Sequence, residues 1–335
     1  MIKKRPEGPA FDKFLSDWNS SDNIGKLSMQ SIYNVSYGTM ANWASHDKPL
    51  PKIEVPKYGT LEEHFKAFIE IDRLNDFHQR TPSELVLSID TDKPIALSDS
   101  ADWHIGMSGT AYQRLYDDLA CMIRYQDRLR LLLGGDNLHN IIQQSKMGSS
   151  HNQMPISLQK ATYFMILERM ADQVLAMGTG NHDYWSALQD GEDWNREVAS
   201  RLKLVYLKHR AIIHLTVGEM RYDILWMHKG RFNSTDNITN SAKQYQRKFF
   251  PDARIVITEH THRASCENYD YCQKHCVAMV PGSYATRDDR AESEGYAPVE
   301  PHSPTVVLFP HEDRLIGFLD FRDALDFIAP YYKKG

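Results

Sequence analysis

From about residue 85 onward, short apolar runs alternate with stretches of helical spacing, the pattern of an α/β core. Runs at 95–97, 129–133, 174–177, 222–227 and 254–258 predict buried or half-buried strands. Between them, 111–125 and 157–172 carry apolar residues at helical spacing, the second opened by Ser157 as an N-cap. Residues 212–217 and 220–227, joined by Gly218 and Glu219, predict a hairpin. Further strands are expected at 277–280, 305–309 and 315–321. Several of these runs end at a His, Asp or Asn, and polar ends of one chemical kind point to one shared site.

Residues 1–50 have another texture. Met29, Ile32 and Val35 precede Ser36, and Met40, Trp43 and Ala44 follow it. Asn34 tolerates a left-handed turn and Ser36 suits an N-cap, so the layout predicts a small all-α, helix-turn-helix-like domain. Tyr37, Thr39 and Asn42 lie on the exposed face of its second helix, where they would read DNA. That helix has no Arg or Lys before Lys48, although phosphate contacts supply much of DNA affinity; a plain helical appendage is the other reading. The prolines of 49–56 make an extended linker. Leu61, Phe65, Phe68, Ile69 and Leu74 then predict a helix that packs on the main domain or connects to it. The expected division is 1–50, a linker and helix at 51–84, and one domain over 85–335.

Bulk properties narrow the class. A chain of 335 residues buries one large core or two domains, and 41% hydrophobic with 25% charged residues is ordinary globular composition. The net charge of −5 excludes an overall basic field. No window of about twenty apolar residues predicts a membrane span, and the charged start is followed by no signal-like apolar run. Four cysteines indicate a reducing, cytoplasmic setting. Cys266, Cys272 and Cys276 lie near His275, but their spacing is not that of a zinc knuckle; a hairpin with free thiols is expected after His262.

The chemistry gathers at strand ends. Asp102 and His104 are two residues apart, so extended backbone turns both to one side. Asp136 follows Gly134 and Gly135, which permit close approach of a loop. Asn181, beside His182 and Asp183, offers a neutral oxygen, and His228, His260 and His262 add imidazoles. Two carboxylates, one amide and four imidazoles suit Mn²⁺, Fe or Zn²⁺ better than Ca²⁺. Seven donors are too many for one tetrahedral ion and fit two ions sharing a carboxylate.

The order Asp-x-His, Gly-Asp, Gly-Asn-His-Asp, His and His-x-His, over about residues 90 to 285, resembles the calcineurin-like metallophosphoesterase superfamily. The resemblance implies a β-sandwich flanked by helices in four α/β/β/α layers. It implies two divalent ions, Mn²⁺ foremost: Asp102, His104 and His262 on the first, Asn181, His228 and His260 on the second, and Asp136 bridging. His182 would face the scissile phosphate and assist the leaving oxygen, with Asp183 orienting it. One departure is Glu259, where the family usually has Gly before His-x-His. Asp99 is a second carboxylate near the first motif, read as a turn residue because it lacks the following His.

The Gly-Asp block narrows the substrate. It continues as Asn137, Leu138, His139, unlike the family's protein phosphatases, and His139 falls where SbcD-like DNA repair nucleases place a phosphate-contacting His; capping the following helix is its other reading. Lys229, beside His228, and Tyr284, after the final ligands, are candidate substrate contacts, Tyr284 by stacking on a base. The polar stretch 143–155 and the basic residues Lys243, Arg247, Lys248 and Arg254 could line a strand-binding cleft or form solvated faces. The expectation is a two-metal phosphodiesterase acting on DNA as an exo- or endonuclease. The alternatives are a small-nucleotide phosphodiesterase or phosphatase, and an inactive DNA-binding regulator. The resemblance also admits a partner ATPase, and a homodimer is compatible with the sequence. With little chain beyond residue 285, substrate positioning is expected of residues 1–50.

Overall fold

The computed structural model describes residues 13, 16, 17, 20, 60–79, 84–141, 153–191, 193–232, 234, 236–287, 292, 293, 295 and 297–333. Tyr37, Thr39 and Asn42, the linker at 49–56 and nearly all of the polar stretch 143–155 lie outside the described residues. The described chain is a mixed α/β structure with two six-stranded mixed sheets.

The first sheet contains β1 (Glu84–Ile89), β6 (Arg210–Val217), β7 (Met220–Met227), β8 (Ile255–Thr258), β9 (Ser265–Tyr271) and β10 (Lys274–Val280), in the order β1-β6-β7-β8-β10-β9. The second contains β2 (Ile95–Ser100), β3 (Leu129–Leu133), β4 (Val174–Gly178), β5 (Tyr206–Lys208), β11 (Thr305–Leu308) and β12 (Leu315–Phe318), in the order β12-β11-β2-β3-β4-β5. The expected hairpin is present: β6 and β7 pair antiparallel from Val217↔Met220 to Arg210↔Met227. Strands β9 and β10 form the antiparallel pair expected after His262, and all four cysteines are free thiols.

Seven helices occur among the described residues: α1 (Leu61–Gln79), α2 (Tyr112–Arg124), α3 (Ile156–Met170), α4 (Asn181–Asp190), α5 (Trp194–Leu202), α6 (Asn240–Phe249) and α7 (Phe321–Tyr332). Helix α2 buries Leu115, Leu119 and Met122, one stripe at helical spacing. Helix α3 begins after Pro155 without a side-chain cap, so Ser157 lies inside it rather than capping it. Its fixed φ suits Pro155 to a helix start, and this displaces the serine from the capping position. Asp320 caps α7 by accepting from the Arg322 amide at 3.0 Å; the strand expected over 315–321 therefore stops at Phe318. Leu61, Phe65, Phe68 and Ile69 of α1 are exposed, so that face does not pack on the rest of the described chain.

Apolar burial falls into separate layers. One cluster joins the two sheets, with Leu97, Leu132 and Val306 from one meeting Ile213, Ile224 and Met279 from the other. A second packs Leu115, Leu167, Val198 and Leu325 of the helices onto Leu131, Leu133 and Val307. A third seats Ala242 and Tyr245 of α6 on Leu225 and Val256. Within the sheets, β2, β3, β4 and β5 run parallel, as do β7 and β8. Strands that share a direction end at the same edge, and loops beyond the carboxyl ends of parallel strands meet there.

Candidate metal centre

Each donor group sits just past one of those strand ends. Asp102 and His104 follow β2, Asp136 follows β3, His228 follows β7, and His260 and His262 follow β8. Asn181 is the first residue of α4, so the segment after β4 turns directly into a helix instead of the loop its sequence suggests. Asp183 sits at the third position of that helix, where its Oδ2 accepts the Gly180 amide at 3.0 Å and the Asp136 amide at 2.8 Å. A carboxylate in the first helical turn is favoured by the helix dipole. Here it also ties the β3 loop to the β4 loop.

Five of the seven proposed donors adopt left-handed backbone: Asp102 (φ 53°), His104 (49°), Asp136 (57°), His260 (73°) and His262 (61°). Such a conformation costs of order 1–3 kcal/mol per non-glycine residue and persists only where surrounding contacts enforce it. Those contacts run between loops. The Asp102 amide donates to the Gly135 carbonyl (2.9 Å), the His104 amide to the Asp136 carbonyl (3.1 Å), and the His260 amide to Asp102 Oδ2 (3.2 Å). At Gly135 a Cβ would lie 1.9 Å from the Gly180 nitrogen. Gly135→Ala is therefore expected to destabilise the fold by about 3 kcal/mol, the upper range for overpacking, because backbone rather than a mobile side chain blocks the methyl. A thermal or urea unfolding curve matching that of the unaltered chain would contradict this.

The side chains converge as two carboxylate-containing triads, Asp102/His104/His262 and Asp136/His228/His260, and an all-histidine group, His104/His139/His182, the donor atoms of each lying within 4.8 Å of one another. In the first, His262 Nε2 is 3.3 Å from Asp102 Oδ1 and 3.2 Å from His104 Nε2. In the second, His228 Nε2 is 3.2 Å and His260 Nδ1 3.9 Å from Asp136 Oδ2. Asp136 Oδ1 instead accepts the His182 amide at 2.7 Å. As placed, Asn181 turns its amide oxygen to Asp136 Oδ2 (3.2 Å) and His260 Nδ1 (2.9 Å), both acceptors. An inward NH₂ satisfies them by hydrogen bonding; an inward oxygen is satisfied only by a cation.

These donors fit divalent ions. Asp102 Oδ1 and His228 Nε2 are buried with no hydrogen-bond partner, an arrangement that costs free energy unless a cation takes the lone pairs. Mixed carboxylate, imidazole and amide donors match Mn²⁺, Fe and Zn²⁺. Asp102, His104, Asp136 and His228 form a buried floor, while Asn181, His182, His260 and His262 are half-buried at its rim.

The local electrostatics follow from this crowding. Burial works to raise the Asp136 carboxyl, but the nearby imidazoles of His228 and His182 outweigh it and hold it well below the usual carboxylate range. Burial pushes His104 well below the ordinary imidazole value, helped by His182 and His262. His182 is likewise lowered by burial. Burial opposes protonation of His228, yet Asp136 and Glu259 together raise it well above its ordinary value. Asp183 is raised to about 7 by burial and by the charge of Asp136.

His182 belongs to neither triad. Its Nδ1 lies 2.6 Å from the His139 carbonyl, and Asn140 Nδ2 donates to its own carbonyl at 2.7 Å. The ring is thus oriented by the His139 carbonyl rather than by Asp183, whose Oδ2 accepts two backbone amides. His139 itself is buried, its ring 5.6 Å from those of His104 and His182. Its carbonyl holds the His182 ring, and its own ring nitrogen groups with those of His104 and His182. A half-buried Trp185, one helical turn after His182, lies against it with ring centroids 4.2 Å apart. The helical spacing that brings Trp185 there was legible only once α4 was known to start at Asn181.

Other candidates fall elsewhere. Tyr284 is 1% exposed and donates its hydroxyl to Asp118 Oδ2 at 2.7 Å, so it is a core residue and stacks on no base. Lys229 is exposed beside His228. Asp99 is no turn residue: it is buried within β2, neither oxygen is hydrogen-bonded, and burial with the charge of Glu259 pushes it well above the carboxylate range. The basic cluster is locally engaged. Lys243 pairs with Glu267 at 2.7 Å, Arg254 pairs with Asp313, and Lys248 lies 3.9 Å over the Phe232 ring.

No protein-family model matches the chain, and no curated protein does. Among solved structures it is similar to the crystal structure of a hypothetical protein from Thermus thermophilus, at 10% identity and a TM-score of 0.36. That similarity covers 67% of this chain and 98% of the other, and carries no argument about fold or function. No described helix is long and apolar enough to cross a membrane.

Proposed function

We propose that this chain is a two-metal-dependent phosphodiesterase that cleaves DNA. The observation that carries the reading is a pair of carboxylate-containing donor triads on one strand edge with an oriented imidazole, His182, beside them and grouped only with His104 and His139. Apolar clusters between the two sheets and between helices and the sheets support this reading.

In this reading Asp102, His104 and His262 would hold one ion, and Asn181, His228 and His260 the other, with Asp136, whose Oδ2 faces the second set, as the ligand that would be shared. Divalent ions held there supply charge to bind and polarise a phosphodiester and to acidify water for in-line attack. The protein's own groups do the rest. The buried floor fixes the donors, and Asp183 and Glu259 hold the backbone of the Asp136 loop. His182 donates Nδ1–H to the His139 carbonyl, so its imidazolium form carries the second proton on Nε2, passes that proton to the departing oxygen and is left as the neutral Nδ1–H ring.

DNA as substrate is supported by the SbcD-like block ending at His139 and by the helix-turn-helix-like pattern of residues 1–50. The full-length chain supplied with Mn²⁺ and assayed on single-stranded DNA, duplex DNA, cyclic nucleotides and an aryl phosphodiester tests this. Turnover of DNA is expected. Turnover confined to cyclic nucleotides or the aryl diester would move the assignment to a small-nucleotide enzyme. DNA retention without turnover of any substrate would make it a binding protein.

A further inference from the structure

The two triads are not backed alike. Glu259, 1% exposed, accepts His228 Nδ1–H on Oε2 at 2.8 Å. The same oxygen accepts the Gly135 amide at 3.0 Å, and Oε1 accepts Trp226 Nε1–H at 2.6 Å. Three N–H donors on two oxygens call for an acceptor-only carboxylate, since an amide or a protonated acid would point hydrogen at one of them. The space for this carboxylate comes from Gly134, where a Cβ would lie 2.2 Å from Glu259 Oε2. The first triad shows a different arrangement at His104: its Nδ1 faces His139 Nδ1 at 3.4 Å, imidazole against imidazole.

We propose that Glu259 is a positioning residue that fixes His228 as the Nδ1–H tautomer with its Nε2 lone pair beside Asp136, making Asp136/Asn181/His228/His260 the tighter of two divalent-cation sites. The inference rests on the two-metal reading. An outer carboxylate on a ligating imidazole fixes ring and tautomer and increases its basicity. By also holding the Gly135 amide, the same group sets the loop that delivers Asp136. The two sites then fill in order, the Glu259-backed one first.

The test is calorimetric titration of Mn²⁺ into the metal-stripped full-length chain, its Glu259→Gln and His228→Ala variants, and the double variant. Two affinities are expected in the unaltered chain. Glu259→Gln weakens the tighter by about 10–100-fold and leaves the weaker unchanged. In the His228→Ala background Glu259→Gln costs much less than it does alone, because it acts chiefly through that ring and only its hold on the Gly135 amide remains. Losses that add in the double variant, or a Glu259→Gln chain that binds as the unaltered one does, would overturn the proposal. ¹⁵N NMR of the Zn²⁺-loaded unaltered chain decides independently of how the variants fold: His228 protonated at Nδ1 supports it, and protonation at Nε2 refutes it. If the unaltered chain takes up no Mn²⁺, the two-metal reading itself fails. Two equal Mn²⁺ affinities there would instead overturn the ranking of sites alone.

Discussion

Asp136→Asn is expected to lower bound Mn²⁺ from two ions per chain to at most one and to reduce phosphodiester turnover on the order of 10³-fold. Asp136 divides its oxygens between two tasks. Oδ1 takes the His182 amide at 2.7 Å, and Oδ2 faces His228 and His260 at 3.2 and 3.9 Å. An asparagine of the same shape must place its NH₂ on one of these sides. Turned to His182, it sets donor against donor; turned inward, it replaces a ligand oxygen with hydrogens. The carboxylate is also the charge that His228 and His182 keep well below the usual range, so its neutral substitute removes the negative centre of the site. Metal analysis after gel filtration checks the stoichiometry. Thermal unfolding gives a second reading, because an ion at 100 times its Kd stabilises the native chain by about 2.7 kcal/mol. Retention of two ions and of the full Mn²⁺-dependent stabilisation would exclude Asp136 from the centre.

His182→Ala should separate chemistry from metal binding. The expected result is a loss of about 10²–10⁴-fold in turnover, the usual worth of a positioned proton donor, with metal content unchanged. His182 lies outside both carboxylate-containing triads, grouped only with His104 and His139, and its backbone amide, which holds Asp136, survives the substitution. The defect should depend on the leaving group. A nucleoside alkoxide needs a proton as it departs, whereas a nitrophenolate leaves readily without one, so the aryl diester should suffer less. An equal defect on both substrates would assign His182 a structural role, and loss of a metal ion would make it a ligand. Its contact with Trp185 at 4.2 Å means that the ring is held from two directions, by the tilted indole and by the His139 carbonyl.

The site and its surroundings were unequally legible. Each donor follows an apolar run within a few residues, so strand ends and ligand types could be read together from local pattern. The choice of Asp102 over Asp99 also followed locally, from the imidazole two residues on. The roles of Asp183, His139, Tyr284 and Glu259 did not. Asp183 looks like a partner for its neighbour His182, but its carboxylate meets the amide of Asp136, forty-seven residues away. Tyr284 sits just past the ligands in sequence, yet its hydroxyl reaches Asp118 across 166 positions. Glu259 appeared as a departure with a stray charge, and the fold surrounds that charge with three N–H donors.

The sequence alone determined the alternation of strands and helices, the β6–β7 hairpin and the residue types available to bind cations. It could do so because periodicity, turn propensity and ligand chemistry are properties of neighbouring residues. The tertiary structure decided which loops share an edge, which backbone is driven into the left-handed region, and which polar groups are left for a cation once the others are bonded. Those outcomes depend on contacts between segments far apart in the chain, where the energy of one side chain is set by partners that its own neighbourhood does not name.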